Sequence, residues 1–438
     1  MSADEIELLN PNTLTCPTFR LKRDAEINKN VYQRVPSFII EREPSSDRHL
    51  NQHAGSLSLE HNLWKADLKR MVNMADDSSL FKTASQLVAH GYSRDKGRNF
   101  TSGSELYLRL YESKMFAQFD HRFGTFEGIT ADQIEAGNCR ELEPAERQEP
   151  QVLATPRYWM PIDAVEEKMR AIALDRKWLM AYRDITRATD ERTVLCSFIP
   201  TNPVGHTAFL ISSMIGTPHN ACLLANLNSM VFDYLARQKL SGMHLSQFIL
   251  KQLPVLPPST YGEHCSWADG ELREWLVPRV LELTYTAYDL IGFATDCGYD
   301  GLPFCWNEER RFLLRCELDA VYFHLYGIGR DDVDYILETF PIVKRKDEQA
   351  HGEYRTKRVI LDIYDAMQQA MATDIPYHTR LDPSPAHGWT PPEVTLEAVT
   401  ARQDDSASED TAANSLDDLP RRAAISEIQP KLHFASED

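Results

Sequence analysis

Apolar residues recur at two spacings along this chain, and the places where the spacing changes divide it. From Phe19, "FRLKRDAEINKNVYQRVP" sets Ile27, Val31 and Val35 on one stripe at helical spacing, and the helix it predicts stops before Pro36. Between Asn62 and Tyr92 the pattern predicts two short helices, the second held by Leu80, Phe81, Ala84, Leu87 and Val88. The polar "SRDKGRNFTSGSE" after it is expected to be a loop. Alternation then takes over. "LYLRLYESKMFAQFDHRF" predicts strand with a break near Glu112, and "KWLMAYRDITRATDERTVLCSFIPTNPVG" predicts two strands joined by the charged segment from Asp184 to Arg192. The acidic, proline-containing stretch from Glu135 to Gln151 is expected to be exposed.

Helical spacing returns from His219 to Lys239, with Leu223, Leu227, Met230, Val231 and Tyr234 on one face, and Gly242 with the prolines of "KQLPVLPP" closes the segment. Trp267 to Ala372 reads as helix almost throughout. Beyond about Tyr377, "LDPSPAHGWTPPE" and "DDSASEDTAANSLDD" hold too few apolar residues to offset the entropy of ordering. The expectation is an α+β protein. A leading segment and linker (residues 1–58) precede a mixed α/β domain (59–260), a helical module (261–378) and a disordered acidic tail (379–438).

Composition changes this picture little. With 438 residues, 42% of them hydrophobic, the chain can bury a sizeable core. No run of about 18 apolar residues occurs, and "MSADEIELLN" lacks the layout of a signal peptide, so a cytoplasmic protein without a membrane partner is expected. The eight cysteines are scattered with no CxxC pair, which speaks against disulfides and structural zinc. A net charge of -18 opposes nucleic-acid binding at face value. From Thr379 onward, however, twelve acidic against five basic residues account for -7 of it, so local patches decide.

Candidate chemistry begins with "NPNT" at Asn10 to Thr13. Enzymes that methylate an exocyclic base amine carry Asn or Asp followed by Pro, Pro and an aromatic ring. Here Asn12 replaces the second proline and Thr13 the ring, so Asn10 reads as part of a turn. Gly124 and Gly128 lack the following helix that a cofactor loop requires. There is no GxSxG elbow, and His206, His219 and His244 share no ligand spacing. Glu353 and Lys357 at i, i+4 read as a surface ion pair. No catalytic residue, cofactor site or metal site is assigned to this chain.

Several dispersed stretches together resemble a known family. It is the carboxy-terminal, target-recognition half of the large adenine-specific DNA methylases of single-chain restriction-modification enzymes (type II, class G) and DISARM-type phage-defence systems. "LNPNTLTCPTFRLKRDAEINKNVYQRVP" is similar to the family's exit from the methylase domain, and "NLWKADLKRMVNMADDSSLF" to the start of its recognition region. "LYESKMFAQFDHRFGTFEG", "YRDITRATDERTVLCSFIPTNPVGH" and "LLANLNSMVFDYLARQKLSGMHLSQFILKQLP" resemble the recognition core, and "FPIVKRKDEQAHGEYRTKRVILDIYDAM" the closing helical module. The resemblance covers roughly residues 5 to 385 and leaves out the tail. In that family the catalytic domain, with its S-adenosylmethionine loop and Asn-Pro-Pro-aromatic motif, precedes the region seen here. The resemblance therefore implies a protein that recognises double-stranded DNA for an adenine-N6 methyltransferase. Catalysis and S-adenosylmethionine would come from a methylase domain or subunit on another chain, with other defence-system subunits as further partners. The competing expectation is an interaction scaffold that does not read bases.

Carried over by position, "YESKMFAQFDHR" nominates Lys114, His121 and Arg122, and "YRDITRATDERT" nominates Arg183, Arg187 and Arg192, with Asp184, Asp190 and Glu191 among them. Arg94, Lys96 and Arg98 lie in the expected loop, and "KQLPVLPP" adds Lys251. Lys344, Arg345, Lys346, Arg355, Lys357 and Arg358 form the most basic run, which also fits a solvated helix face. Asn226 and Asn228 read as packing or capping residues.

Overall fold

The first stripe folds as its spacing predicts. Ile27 and Val31 are buried on helix α1 (Lys22–Arg34), which gives way to extended backbone at Val35, just before the proline. The computed structural model describes residues 21–39, 62–73, 75–172 and 176–388. Asn10, most of the leading segment and the tail beyond residue 388 lie outside them. The described residues belong to one compact unit with helices and antiparallel sheets, an α+β fold.

In chain order the strands are β1 (Ala66–Lys69), β2 (Ser93–Arg94), β3 (Phe100–Ser102), β4 (Glu105–Arg109), β5 (Gly124–Thr125), β6 (Arg140–Glu141), β7 (Trp159–Pro161), β8 (Trp178–Arg183), β9 (Cys196–Pro200) and β10 (Ala208–Ser213). One sheet runs β1-β10-β8-β9, a second β2-β3-β4-β7, and β5 and β6 form a ribbon. The first sheet is covered on both faces. Trp178, Met180 and Tyr182 of β8, with Phe209 and Ile211 of β10, enter the helical core. Leu179 and Ala181, with Ala208 and Leu210, enter a second core against Met71, Phe116 and Val165. Period-2 alternation thus sorts residues between two apolar environments, and β8, β9 and β10 read as continuous hydrophobic runs.

The longer helices are α2 (Ile162–Ile172), α3 (Thr217–Asn228), α4 (Met230–Lys239), α5 (Leu272–Thr284), α6 (Glu308–Leu325), α7 (Arg330–Glu338), α8 (Pro341–His351) and α9 (Arg355–Thr373). Helix α5 packs on α3, and α6 on α9. Gly352, with φ +74°, terminates α8 in the left-handed conformation that glycine adopts without a Cβ penalty. Among the described residues no helix is long and apolar enough to cross a membrane.

Four expectations are corrected. The first helix expected after Asn62 is the edge strand β1, where Ala66 and Leu68 are buried and Asp67 faces out. The expected polar loop contains the hairpin β2–β3, anchored where Phe100 meets Trp159 edge-on at 5.0 Å. The stretch from Glu135 to Gln151 is mostly exposed, as expected, and is pinned at buried Leu142 and Arg147. Glu353 pairs with Arg358, while Lys357 pairs with Asp334 and Glu338. Finally, His219 to Lys239 is two helices. Ser229 takes φ -70° and ψ 152°, and its hydroxyl caps the Phe232 amide.

Tertiary bonds hold that break open. Asn228 accepts from the Cys196 amide and donates to its carbonyl, each at 3.0 Å, and the Met230 amide donates to Asp319 Oδ1 at 2.7 Å. Asn226 donates to Tyr326 Oη at 2.6 Å and accepts from the Leu256 amide at 3.1 Å. The proline-bearing stretch from Leu253 to Leu256 therefore runs through the interior, bridged to Ser37 and buried throughout. The helices after it share one core with the first sheet.

Asp319 is buried on α6, and burial raises its carboxyl from 3.8 to about 6, against smaller opposing effects of Arg192 and the Met230 amide. Between roughly pH 4 and pH 6 the unfolded chain releases this proton while the folded chain keeps it. Its contribution to stability therefore falls as pH rises through that window and is constant above it. Asp319→Asn keeps an acceptor for Met230 and removes the titration. Urea unfolding at pH 4 to 7 should show a loss on the order of 2 kcal/mol in the native chain that the variant lacks.

Candidate nucleic-acid interface

The hairpin β2–β3 turns through Asp95, whose amide donates to the Asn99 carbonyl at 2.9 Å. Arg98 sits there at φ +64°, its carbonyl accepting from the Trp159 indole at 2.8 Å and its guanidinium on Glu127 at 2.6 Å. Arg94 lies over the Phe100 and Trp159 rings, 3.8 Å from the same carboxylate. Lys96, at the tip, is exposed and carries no ion pair among the described residues.

The "FDHR" motif turns inward. His121 Nε2 lies 2.8 Å from Asp289, which also holds Arg109 at 3.0 Å. Burial alone would raise the Asp289 carboxyl, but His121 and Arg109 outweigh it and hold it well below the usual carboxylate range. Arg122 is fully buried, donating to the carbonyls of Arg147, Glu149, Val152 and Thr286 at 2.6–3.0 Å. One guanidinium thus satisfies carbonyls of two distant segments, using the planar donor fork that lysine lacks. Lys114 donates to the Gly137 carbonyl.

The "YRDITRATDERT" stretch divides. Arg183 donates to the Phe116 carbonyl, and burial lowers its pKa to about 10. Arg192 pairs with buried Asp233 at 2.9 Å, a carboxylate shared with Arg237. Arg187 is exposed and free of ion pairs among the described residues, while Asp190 accepts from its amide at 2.9 Å. Lys251 is half-buried at the end of the short helix Gln247–Lys251, its carbonyl taking the Ile39 amide at 3.0 Å. In the basic run Lys344, Lys346, Arg355, Lys357 and Arg358 each meet an acid, and Arg345 faces solvent.

A surface that gathers cations was not nominated from sequence. A cleft of about 680 Å³ opens along the edge of β1, walled by Lys69 and Arg70, by Lys168 of α2, and by Ser246, Gln247 and Phe248. Leu68, Met71, Ala171, Ile172 and Phe209 complete its lining, which contains no acidic residue. The partner acids stand outside it: Asp67 for Lys69 at 3.1 Å, Asp77 for Lys168 at 2.9 Å, and Asp184 for Arg70 at 3.4 Å. Arg70 is half-exposed and lies 4.5 Å over the Phe209 ring. Asp184 also takes His244 at 3.2 Å. Beside it, Ile185 pairs with His244 across a bridge, and Ile185 and Met243 are both exposed. Two signals were present in sequence: the Lys69–Arg70 pair ending "KADLKR", and a phenylalanine in "HLSQFILK" off the buried stripe.

Fold and cleft together define the class: an α+β chain with a cationic groove at the edge of a sheet that is covered on both faces. No protein-family model, no curated protein and no solved structure matches the chain.

Arg122→Met tests the interior role of that motif. Four carbonyls lose their donor, and a loss of about 3–5 kcal/mol is expected on breaking such a buried charged network. Chemical denaturation of the purified variant measures it; stability within 1 kcal/mol of the native chain would show that Arg122 does not organise the fold.

Proposed function

We propose that this protein recognises DNA for an adenine-N6 methyltransferase in a restriction-modification or phage-defence setting in the cytoplasm, with the methylase domain and its S-adenosylmethionine on another chain. The observation that carries the reading is the cleft wall, which presents Lys69, Arg70 and Lys168 with no carboxylate among them. Cations grouped this way neutralise phosphates and set register on the duplex. Lys96 on its hairpin and Arg187 on the β8–β9 turn are further exposed cations for backbone contacts. The resemblance of the quoted stretches to the recognition halves of adenine methylases supplies the reaction that this binding would serve.

A second reading rests on the exposed apolar pair Ile185 and Met243, 52% and 50% accessible, which suits a protein partner better than phosphate. The two separate by mutation. Arg70→Gln with Lys168→Gln should weaken duplex binding about tenfold and lower the slope of log affinity against log salt by roughly 2. Fluorescence anisotropy across a salt series measures both. Salt-independent absence of DNA binding, with and without a methylase subunit, would overturn the DNA reading. Ile185→Asp with Met243→Asp should leave DNA binding intact on that reading; loss of methylase-subunit capture alone would favour the scaffold.

A further inference from the structure

Resting on the DNA reading, we infer that the cleft along β1 takes a single unstacked nucleotide of a DNA strand, its base against Phe248 and its phosphate against Arg70 and Lys168. The shape comes first. Reading a major groove requires a convex element, a helix or a ribbon, to enter it. This surface is concave, and its volume of about 680 Å³ is within the range that holds one small organic group. Its lining is also divided as a nucleotide is. Leu68, Met71, Ile172 and Phe209, each 4–5% exposed, form an apolar floor beneath the exposed Phe248, and the three cations offer charge to a phosphate.

Phe248 is the second independent feature. It is 65% exposed on the rim, although its neighbours Leu245 and Leu250 are fully buried. Among the described residues no ring or guanidinium stacks on it. An exposed phenylalanine beside cations is the combination that holds unstacked bases in single-stranded binding sites. Gln247 cannot move into the space, since its amide donates to the Leu68 carbonyl at 2.8 Å and caps the open edge of β1. Capping blocks strand addition there, so a strand-pairing peptide does not fit this edge.

Phe248→Ala is the test, because an exposed side chain can be removed without unfolding the chain; thermal unfolding serves as the control. Duplexes and single strands carrying 2-aminopurine are titrated with the native chain, Phe248→Ala, and Arg70→Gln with Lys168→Gln. The native chain should change 2-aminopurine emission on binding. Phe248→Ala should lose that change and bind single strands about fivefold or more weakly, keeping its salt slope. Duplex binding at native strength with no emission change would overturn the nucleotide cleft and leave the DNA reading standing. No DNA binding by the native chain would overturn both. Binding of free deoxyadenosine monophosphate as tightly as the oligonucleotide would also overturn the inference, since the occupant would then be a free nucleotide.

Discussion

The break between α3 and α4 is the constraint on which the rest of the fold depends. Opening a helix inside a core exposes amides and carbonyls that cannot be left unpaired. Here the Ser229 hydroxyl answers the Asn226 carbonyl and the Phe232 amide locally, and side chains at the break reach other parts of the chain. Asn228 fixes β9 through Cys196, Asn226 fixes the buried thread at Leu256, and Asp319 brings in α6 through Met230. Four residues later Asp233 accepts from the Thr193 amide at 2.8 Å and holds Arg192 and Arg237, which sets the β8–β9 turn. A continuous helix would satisfy its own backbone and leave the sheet, the thread and the later helices without a common register.

That arrangement also explains how this chain uses arginine. Arg109, Arg122, Arg279 and Arg311 are all buried, and each donates to backbone carbonyls or to a buried acid. Five donors in a rigid fork join segments that no single lysine could join. Motifs rich in Arg, Asp and His such as "FDHR" and "TDERT" therefore carry strong structural demands of their own. Their charge alone says little about the surface: of the cations nominated from sequence, Lys96 and Arg187 are exposed without an ion pair among the described residues, and the cleft cations lie in less conspicuous sequence.

Much of the architecture was legible because long segments keep one period. The stripe of α1, the runs of β8 and β9 and the helices after Trp267 stand where the spacing puts them. What was missed is short or tertiary. "ADLK" is too brief for alternation to be told from one helical turn. The β2–β3 hairpin has a single buried anchor, Phe100. The Ser229 break is hidden by the continuous helical spacing of "LNSMVFDYL", and the local Ser229 cap and partners on other segments together hold it open. The cleft was invisible for a further reason: its walls come from residues 68–71, 168–172, 209 and 246–248, which no sequence window contains together.

The same geometry bears on the conflict between a net charge of -18 and the anionic ligand we propose. Screening limits a charge to roughly 8–10 Å at ordinary salt, so the distribution within a site outweighs the total. Three cations lining one cleft would repel one another if left alone. Asp77 and Asp184, only 17% and 6% exposed, counter that repulsion and fix the side chains from behind. Arg70 is held by a buried acid on one side and by the Phe209 ring beneath it, while half of its side chain stays open to solvent.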